Sequence, residues 1–114
     1  MIKADELLQT WVNAIKSGDP KQVTSLYHQD GILLGTFSAA ERVGHELILE
    51  YFENLLKNPV EVDVISEHPH DFESSAVNSG LYNFVTGGKT INARFSFVYD
   101  GDGKIISHHS SILP

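Results

Sequence analysis

The second half of the chain is a run of strand-like segments separated by tight-turn signals, and this pattern limits the possible fold more than any other feature. Residues 60–65, 76–86, 90–99 and 104–113 alternate in polarity or are rich in β-branched and aromatic side chains. Gly87-Gly88 and the run Asp100 to Gly103 each fit a hairpin turn. Four strands joined in this way predict an antiparallel meander.

Helical patterns occupy the first half of the chain. Residues 4–17 and 45–58 carry apolar side chains at spacings of three and four, and Asp19-Pro20 fits the start of a short second helix with Tyr27 on its inner face. A short apolar strand, residues 32–34, and a loop, residues 35–44, separate the helices. Helices followed by a meander predict an α+β fold, a cone-shaped antiparallel sheet curved around the long helix 45–58 and enclosing a cavity.

Length, cysteine content and charge exclude several classes of protein. The 114 residues predict a single domain, 1–114, and the absence of cysteine excludes thiolate catalysis and cysteine metal sites. A net charge of −7 disfavours nucleic acid and anionic lipid as partners. The amphipathic N-terminus is unlike a signal peptide, and no apolar run approaches the roughly 20 residues of a membrane span. We expect a cytoplasmic protein without membrane contact.

The final strand, KIISHHSSILP, carries four polar residues within an apolar segment. Strand alternation predicts one face with Ile106, His108, Ser110 and Ile112. A histidine and a serine on one face, roughly 6.5 Å apart, can contact the same small ligand. The rings of His108 and His109 point apart, which disfavours a shared metal ion, and His68-Pro69-His70 is predicted to lie in a loop.

The preceding strand has an aromatic face. Phe95, Phe97 and Tyr99 are predicted to pack against the long helix or against a partner subunit, and a homodimer is expected. Arg94 lies on the opposite face, where it is either solvated or part of an interface pocket.

Four segments in order resemble one branch of the nuclear-transport-factor-2-like (NTF2-like, SnoaL-like) superfamily. They are LYHQDGILLGTFS, ERVGHELILEYFENLLKNP, SGLYNFV and the terminal HHSS-x-x-P at residues 108–114. The branch includes iota-class carbonic anhydrases and the association domain of the calcium/calmodulin-dependent kinase. Gly103-Lys104-Ile105-Ile106 lacks the tryptophan that such proteins often carry before the final strand.

The resemblance implies a metal-free, cofactor-free lyase that hydrates carbon dioxide to bicarbonate inside the cone. Hydroxyls would orient water and bicarbonate, and the imidazole of His108 would accept the proton. The catalytic residues would be Thr36, Tyr51, His108 and Ser110. The substrate-binding residues would be Tyr27, Leu34, Phe52, Arg94 and Ile106.

Three other interpretations stay open. The domain is a binding or assembly module for a small carboxylate, like the kinase association domain, or a SnoaL-type isomerase or cyclase. The latter needs an inward carboxylate, for which Asp63, Asp71 and Glu73 are the candidates. Alternatively, His108 and Ser110 are a buried, hydrogen-bonded pair without turnover. A serine hydrolase is disfavoured because no G-x-S-x-G turn is present.

Overall fold

Three helices and six strands form the part of the chain that the computed structural model describes, residues 3–114. In chain order they are α1 (Ala4–Ser17), α2 (Pro20–Thr24), β1 (Tyr27–Leu34), β2 (Arg42–Val43), α3 (His45–Leu55), β3 (Val60–Asp71), β4 (Ala76–Thr86), β5 (Lys89–Tyr99) and β6 (Ile105–Ile112). The predicted α+β class is confirmed. The first two residues of the predicted domain lie outside the described range.

All six strands belong to one curved sheet with the order β2-β1-β6-β5-β4-β3. Strands β3 to β6 form the predicted antiparallel meander. Strand β1 pairs in parallel with β6, so the prediction of a wholly antiparallel sheet is wrong at this position. The parallel pair aligns Leu33 with His108 and Leu34 with His109, which brings the residues after β1 beside Ser110.

Helix α1 has the predicted bounds 4–17, α2 begins after the predicted cap Asp19, and α3 begins at the predicted His45 but is shorter than predicted. The Asp19 side chain accepts a hydrogen bond from the Lys21 N–H at 3.0 Å and caps α2. Helix α3 ends at Leu55, and the longest helix is α1, with 14 residues. The apolar face of α1, with Leu8, Trp11 and Ile15, is buried against the sheet. None of the helices within residues 3–114 has the length and apolar character needed to cross a membrane.

The aromatic face of β5 forms the core of the protein. Phe95, Phe97 and Tyr99 are buried, and Trp11 of α1 meets Phe97 edge to face at 5.4 Å between ring centroids. The face packs against a helix, but that helix is α1, so the prediction that it packs against the long helix 45–58 is wrong. The alternative, a partner subunit over this face, is wrong, because the face has no free surface.

A β-bulge in β6 reverses the predicted orientation of one residue. Val98 pairs with Ser107 and Tyr99 with Ile105, so Ile106 is an extra residue without a partner in β5. As a consequence, Ile105 is 2% exposed and Ile106 is 36% exposed. The prediction that Ile106 faces the cavity is wrong, because simple alternation does not hold across a bulge.

Strands β1 and β3 are longer than their sequence patterns indicate. Tyr27, predicted on a helix, is the first residue of β1. Strand β3 continues through His68-Pro69-His70, predicted as a loop. Because β3 lies at the edge of the sheet, it tolerates a proline that cannot donate a ladder hydrogen bond.

Candidate functional site

A chain of hydrogen-bonded side chains crosses the core and ends near the surface. At the inner end, Trp11 Nε1–H donates to Tyr27 Oη at 3.1 Å, and Tyr27 Oη is hydrogen-bonded to His108 Nδ1 at 2.7 Å. The other ring nitrogen, His108 Nε2, is hydrogen-bonded to Tyr82 Oη at 3.0 Å. At the outer end, Tyr82 Oη donates to Ser110 Oγ at 2.7 Å, and Ser110 Oγ is hydrogen-bonded to Thr36 Oγ1 at 2.5 Å. We call these six residues the polar chain. The predicted meeting of Ser110 with Thr36 is observed.

Four elements and one loop supply the polar chain. Helix α1 contributes Trp11, β1 contributes Tyr27, β4 contributes Tyr82, and β6 contributes His108 and Ser110. Tyr82 lies opposite Ala93 of β5, whose small side chain leaves room for the ring to reach β6. The Tyr82 ring also stacks on Phe95 with centroids 4.6 Å apart. The sheet and α1 therefore hold the six side chains of the polar chain in one arrangement.

His108 is neutral and fully enclosed. It is 2% exposed, and the Phe97 ring stacks on it with centroids 3.9 Å apart. Burial lowers the pKa of His108 to about 3, and the neighbouring His109 contributes in the same direction. Both ring nitrogens are already bonded to tyrosines. The predicted role of His108 as a proton acceptor in a hollow is therefore wrong, because no ligand can touch its ring.

The two tyrosines that hold His108 keep their phenolic protons. Burial raises the pKa of Tyr27 and of Tyr82 well above the usual value of a phenol. With the imidazole neutral as well, the polar chain carries no formal charge at physiological pH. What it presents at its outer end is therefore an oriented hydrogen bond and no charge.

The polar chain ends at a cavity of about 380 Å³, which we call the Thr36–Ser110 cavity. Its lining consists of Leu34, Gly35, Thr36, Ser38, Ala39, Ala40, His109, Ser110, Ser111 and Ile112. Strand β1 ends at Leu34, which pairs with His109, so the last residues of β6 have no β1 residue beside them, and the cavity lies at this position. Leu34 lines it as predicted, and the exposed His109, rather than His108, is the imidazole at its rim.

Tyr51 lies in a second cavity, of about 350 Å³, which we call the Arg42–Tyr51 cavity. The Tyr51 hydroxyl accepts a hydrogen bond from the Phe37 N–H at 3.4 Å. Burial raises the pKa of Tyr51 to about 12, although that hydrogen bond and the Arg42 charge oppose the shift. Thr36 lines the first cavity and Tyr51 the second, so the prediction of one site holding both Tyr51 and Thr36 is wrong.

Arg42 is the cation of the second cavity. Its Nη1 donates to Glu50 Oε1 at 2.7 Å and its Nη2 to Ser38 Oγ at 3.2 Å. Its Nε is buried and has no hydrogen-bond partner among residues 3–114. One donor of the guanidinium is therefore unsatisfied among the described residues.

The remaining predicted contacts lie away from the Thr36–Ser110 cavity. Phe52 packs in the core against Tyr27 and Tyr51, with centroids 5.8 and 5.1 Å apart. Arg94 is exposed on the outer face of the sheet, beside Ser96 and His109. These placements correct the predicted substrate contacts of Tyr27, Phe52, Arg94 and Ile106, since Tyr27 is a member of the polar chain and Ile106 faces outward.

Sequence reasoning missed Trp11, Tyr82 and Arg42 as site residues. Tyr82 had a usable signal, since alternation in β4 places it on the inner face with Asn78 and Phe84. A buried tyrosine needs a hydrogen-bond partner for its hydroxyl, and β6 has two inward-facing polar side chains, His108 and Ser110. No three His, Asp or Glu side chains within residues 3–114 come together in a group that could hold a metal ion.

The curved sheet with helices across its open side defines an NTF2-like protein. Among solved structures, an NTF2-like protein of unknown function from Pseudomonas putida has a TM-score of 0.83 at 17% identity, over 94% of this chain and 82% of its own. One described as a ketosteroid isomerase from Parabacteroides distasonis has a TM-score of 0.78 at 22% identity, over 93% and 84%. At these identities the likeness concerns the fold.

The chain belongs to the calcium/calmodulin dependent protein kinase II association domain family, whose profile matches residues 3–114. A crystal structure from Xanthomonas campestris, provisionally described as such an association domain, is 38% identical with a TM-score of 0.89. The alignment covers 96% of this chain and 85% of that one.

Proposed function

We propose that this protein is a metal-independent carbonic anhydrase that hydrates carbon dioxide in the Thr36–Ser110 cavity. The observation that carries the proposal is the pair of hydroxyls, 2.5 Å apart, at the end of a buried neutral hydrogen-bond chain. Aligned hydroxyls stabilise negative charge as it develops on the oxygens of bicarbonate. The terminal HHSS-x-x-P resemblance supports the same reaction.

The proposed reaction uses the cavity to place water against carbon dioxide. The water oxygen forms a bond to the carbon, one C=O π bond breaks, and its electron pair moves to the oxygen that the Thr36 hydroxyl stabilises, with Ser110 orienting that hydroxyl. The water proton passes to His109, whose exposed ring lines both this cavity and the outer face, and from there to bulk water. Leu34 and Ile112 provide apolar wall for the gas.

A stopped-flow hydration assay in the presence of a chelator tests the proposal. We expect a rate above buffer for the unmodified protein and a loss of about 100-fold in kcat/KM for Thr36→Val, the usual effect of removing one oxyanion donor. His109→Ala is expected to lower kcat by about 100-fold, a loss that imidazole in the buffer partly restores. Matched controls are Thr90→Val and His68→Ala, which change exposed residues outside both cavities. No rate above buffer for the unmodified protein would refute the activity.

The second candidate function is binding of a small carboxylate in the Arg42–Tyr51 cavity, within an assembly module. The Arg42 guanidinium favours it, because this cation lines the cavity together with the amide side chains of Asn54 and Asn58. No carboxylate side chain lines this cavity or the Thr36–Ser110 cavity among residues 3–114, which also disfavours an isomerase with a carboxylate base. Binding of acetate without turnover, weakened by Arg42→Gln and strengthened by Glu50→Gln, would support this function.

A homodimer and a cytoplasmic location belong to the same proposal. Family membership suggests association, as the name of the family states. Exposed apolar side chains such as Val43 and Ile112, 54% and 61% exposed, offer surface for a second copy. Sedimentation of the purified protein distinguishes a dimer from larger assemblies.

A further inference from the structure

The two ends of the polar chain differ in hydrogen-bonding capacity: one end can only donate, and the other can donate or accept. This difference sets the direction of every hydrogen bond between them. Trp11 is the inner end, and its indole N–H can donate but not accept. Thr36 is the outer end, and it lines a cavity open to solvent.

At the inner end, one arrangement satisfies every buried proton. Tyr27 Oη accepts from Trp11, and its other contact within residues 3–114 is His108 Nδ1 at 2.7 Å. The Tyr27 proton can therefore be satisfied when it points at Nδ1. That makes Nδ1 the unprotonated nitrogen and places the imidazole proton on Nε2.

From His108 to Thr36, each residue then donates a hydrogen bond to the next residue outward. His108 Nε2–H donates to Tyr82 Oη, which leaves the Tyr82 proton for Ser110 Oγ at 2.7 Å. Ser110 uses its own proton on Thr36 Oγ1 at 2.5 Å. The hydroxyl proton of Thr36 is left over and points away from Ser110, into the cavity.

The reverse direction leaves a buried proton without an acceptor. If His108 carried its proton on Nδ1, Tyr27 would accept two hydrogen bonds and its own proton would face the core, where the residue is 1% exposed. A charged imidazole would have the same defect, and no carboxylate within residues 3–114 is hydrogen-bonded to it. Unsatisfied buried donors are rare in folded proteins because they are costly.

The geometry points to a directional relay in which Trp11, a positioning residue at the far end of the polar chain, makes Thr36 a hydrogen-bond donor toward the cavity. The occupant is accordingly an acceptor, and a small oxyanion such as bicarbonate or a carboxylate fits best. The inference deepens the proposed function, on which it rests for the location of the occupant.

The tautomer of His108, read by nitrogen-15 NMR of the imidazole ring, tests the direction of the relay. We expect Nε2 protonated and Nδ1 unprotonated in the unmodified protein at neutral pH. Trp11→Phe keeps an aromatic ring but removes the donor, and it is expected to raise the fraction protonated on Nδ1 several-fold. A Nδ1–H or doubly protonated ring in the unmodified protein, or a tautomer unchanged in a folded Trp11→Phe variant, would overturn the inference.

The class of occupant is tested in the unmodified protein with two probes of similar size. Acetate is expected to shift the backbone amide signals of Gly35 and Ser111, which line the cavity, and methylammonium, which offers donors alone, is expected to leave them unchanged. Thr36→Val removes the acetate response, and Thr90→Val retains it. Equal responses to both probes, or none to acetate, would refute the donor role. The tautomer result stands whether or not carbon dioxide is hydrated, so failure of the activity and failure of the relay are separate outcomes.

Discussion

His108 shows at the scale of one residue how position decides chemistry. An imidazole on a strand beside a serine is a reasonable proton acceptor in the sequence, where its surroundings are unknown. In the structure the same ring lies between two tyrosines and against Phe97, and it is a neutral link in a hydrogen-bond chain. The neighbouring His109 keeps the access to solvent that the acceptor role requires.

The buried imidazole makes stability depend on pH. An unfolded histidine titrates near 6.5, whereas the pKa of His108 is lowered to about 3, so the unfolded state binds the extra proton between these values. The free energy of unfolding then falls as pH is lowered through this window, by at most about 1.4 kcal/mol per pH unit. The contribution is complete above about pH 6.5 and is lost toward pH 3.

Urea unfolding between about pH 4 and pH 6 measures this dependence. His108→Gln keeps a polar side chain but cannot titrate, so its unfolding free energy is expected to change less steeply, by about one proton. Other groups contribute to both proteins alike. Equal slopes would show that His108 is not buried as a neutral group.

At the scale of an element, strand β6 and its neighbours show which structural features are specified by residues adjacent in sequence and which depend on distant residues. The turns at residues 87–88 and 100–103 and the start of α2 were predicted correctly, because their signals lie within a few residues. The bulge at Ile106 and the parallel pairing of β1 with β6 depend on distant partners, and no local pattern specifies them. His108 and Ser110 nevertheless face inward as predicted, since alternation is regular beyond the bulge.

The bulge predicts unequal effects for two adjacent isoleucines. Ile105→Ala removes a buried side chain and is expected to cost about 2–4 kcal/mol of unfolding free energy. Ile106→Ala removes a partly exposed one and is expected to cost less than about 1 kcal/mol. Thermal or urea unfolding of the two variants checks the ranking, and a larger loss for Ile106→Ala would contradict the register of β6.

At the scale of the whole molecule, the chain carries a net charge of −7, yet both cavities present hydrogen-bond donors. The loop between β1 and β2 makes this possible, because Thr36 lines the Thr36–Ser110 cavity, Phe37 lines the Arg42–Tyr51 cavity, and Ser38 lines both. Sequence reasoning predicted the fold and the contact of Thr36 with Ser110, but it merged two cavities into one. The path of that loop depends on packing of Tyr51 against Gly35, which no motif reports.

A crystal structure of the protein grown or soaked with bicarbonate tests the central claim most directly. The account predicts an anion in the Thr36–Ser110 cavity, with one oxygen within hydrogen-bond distance of Thr36 Oγ1, and no such density in Thr36→Val crystals. An anion bound to Arg42 in the second cavity, with the first cavity empty, would contradict the account.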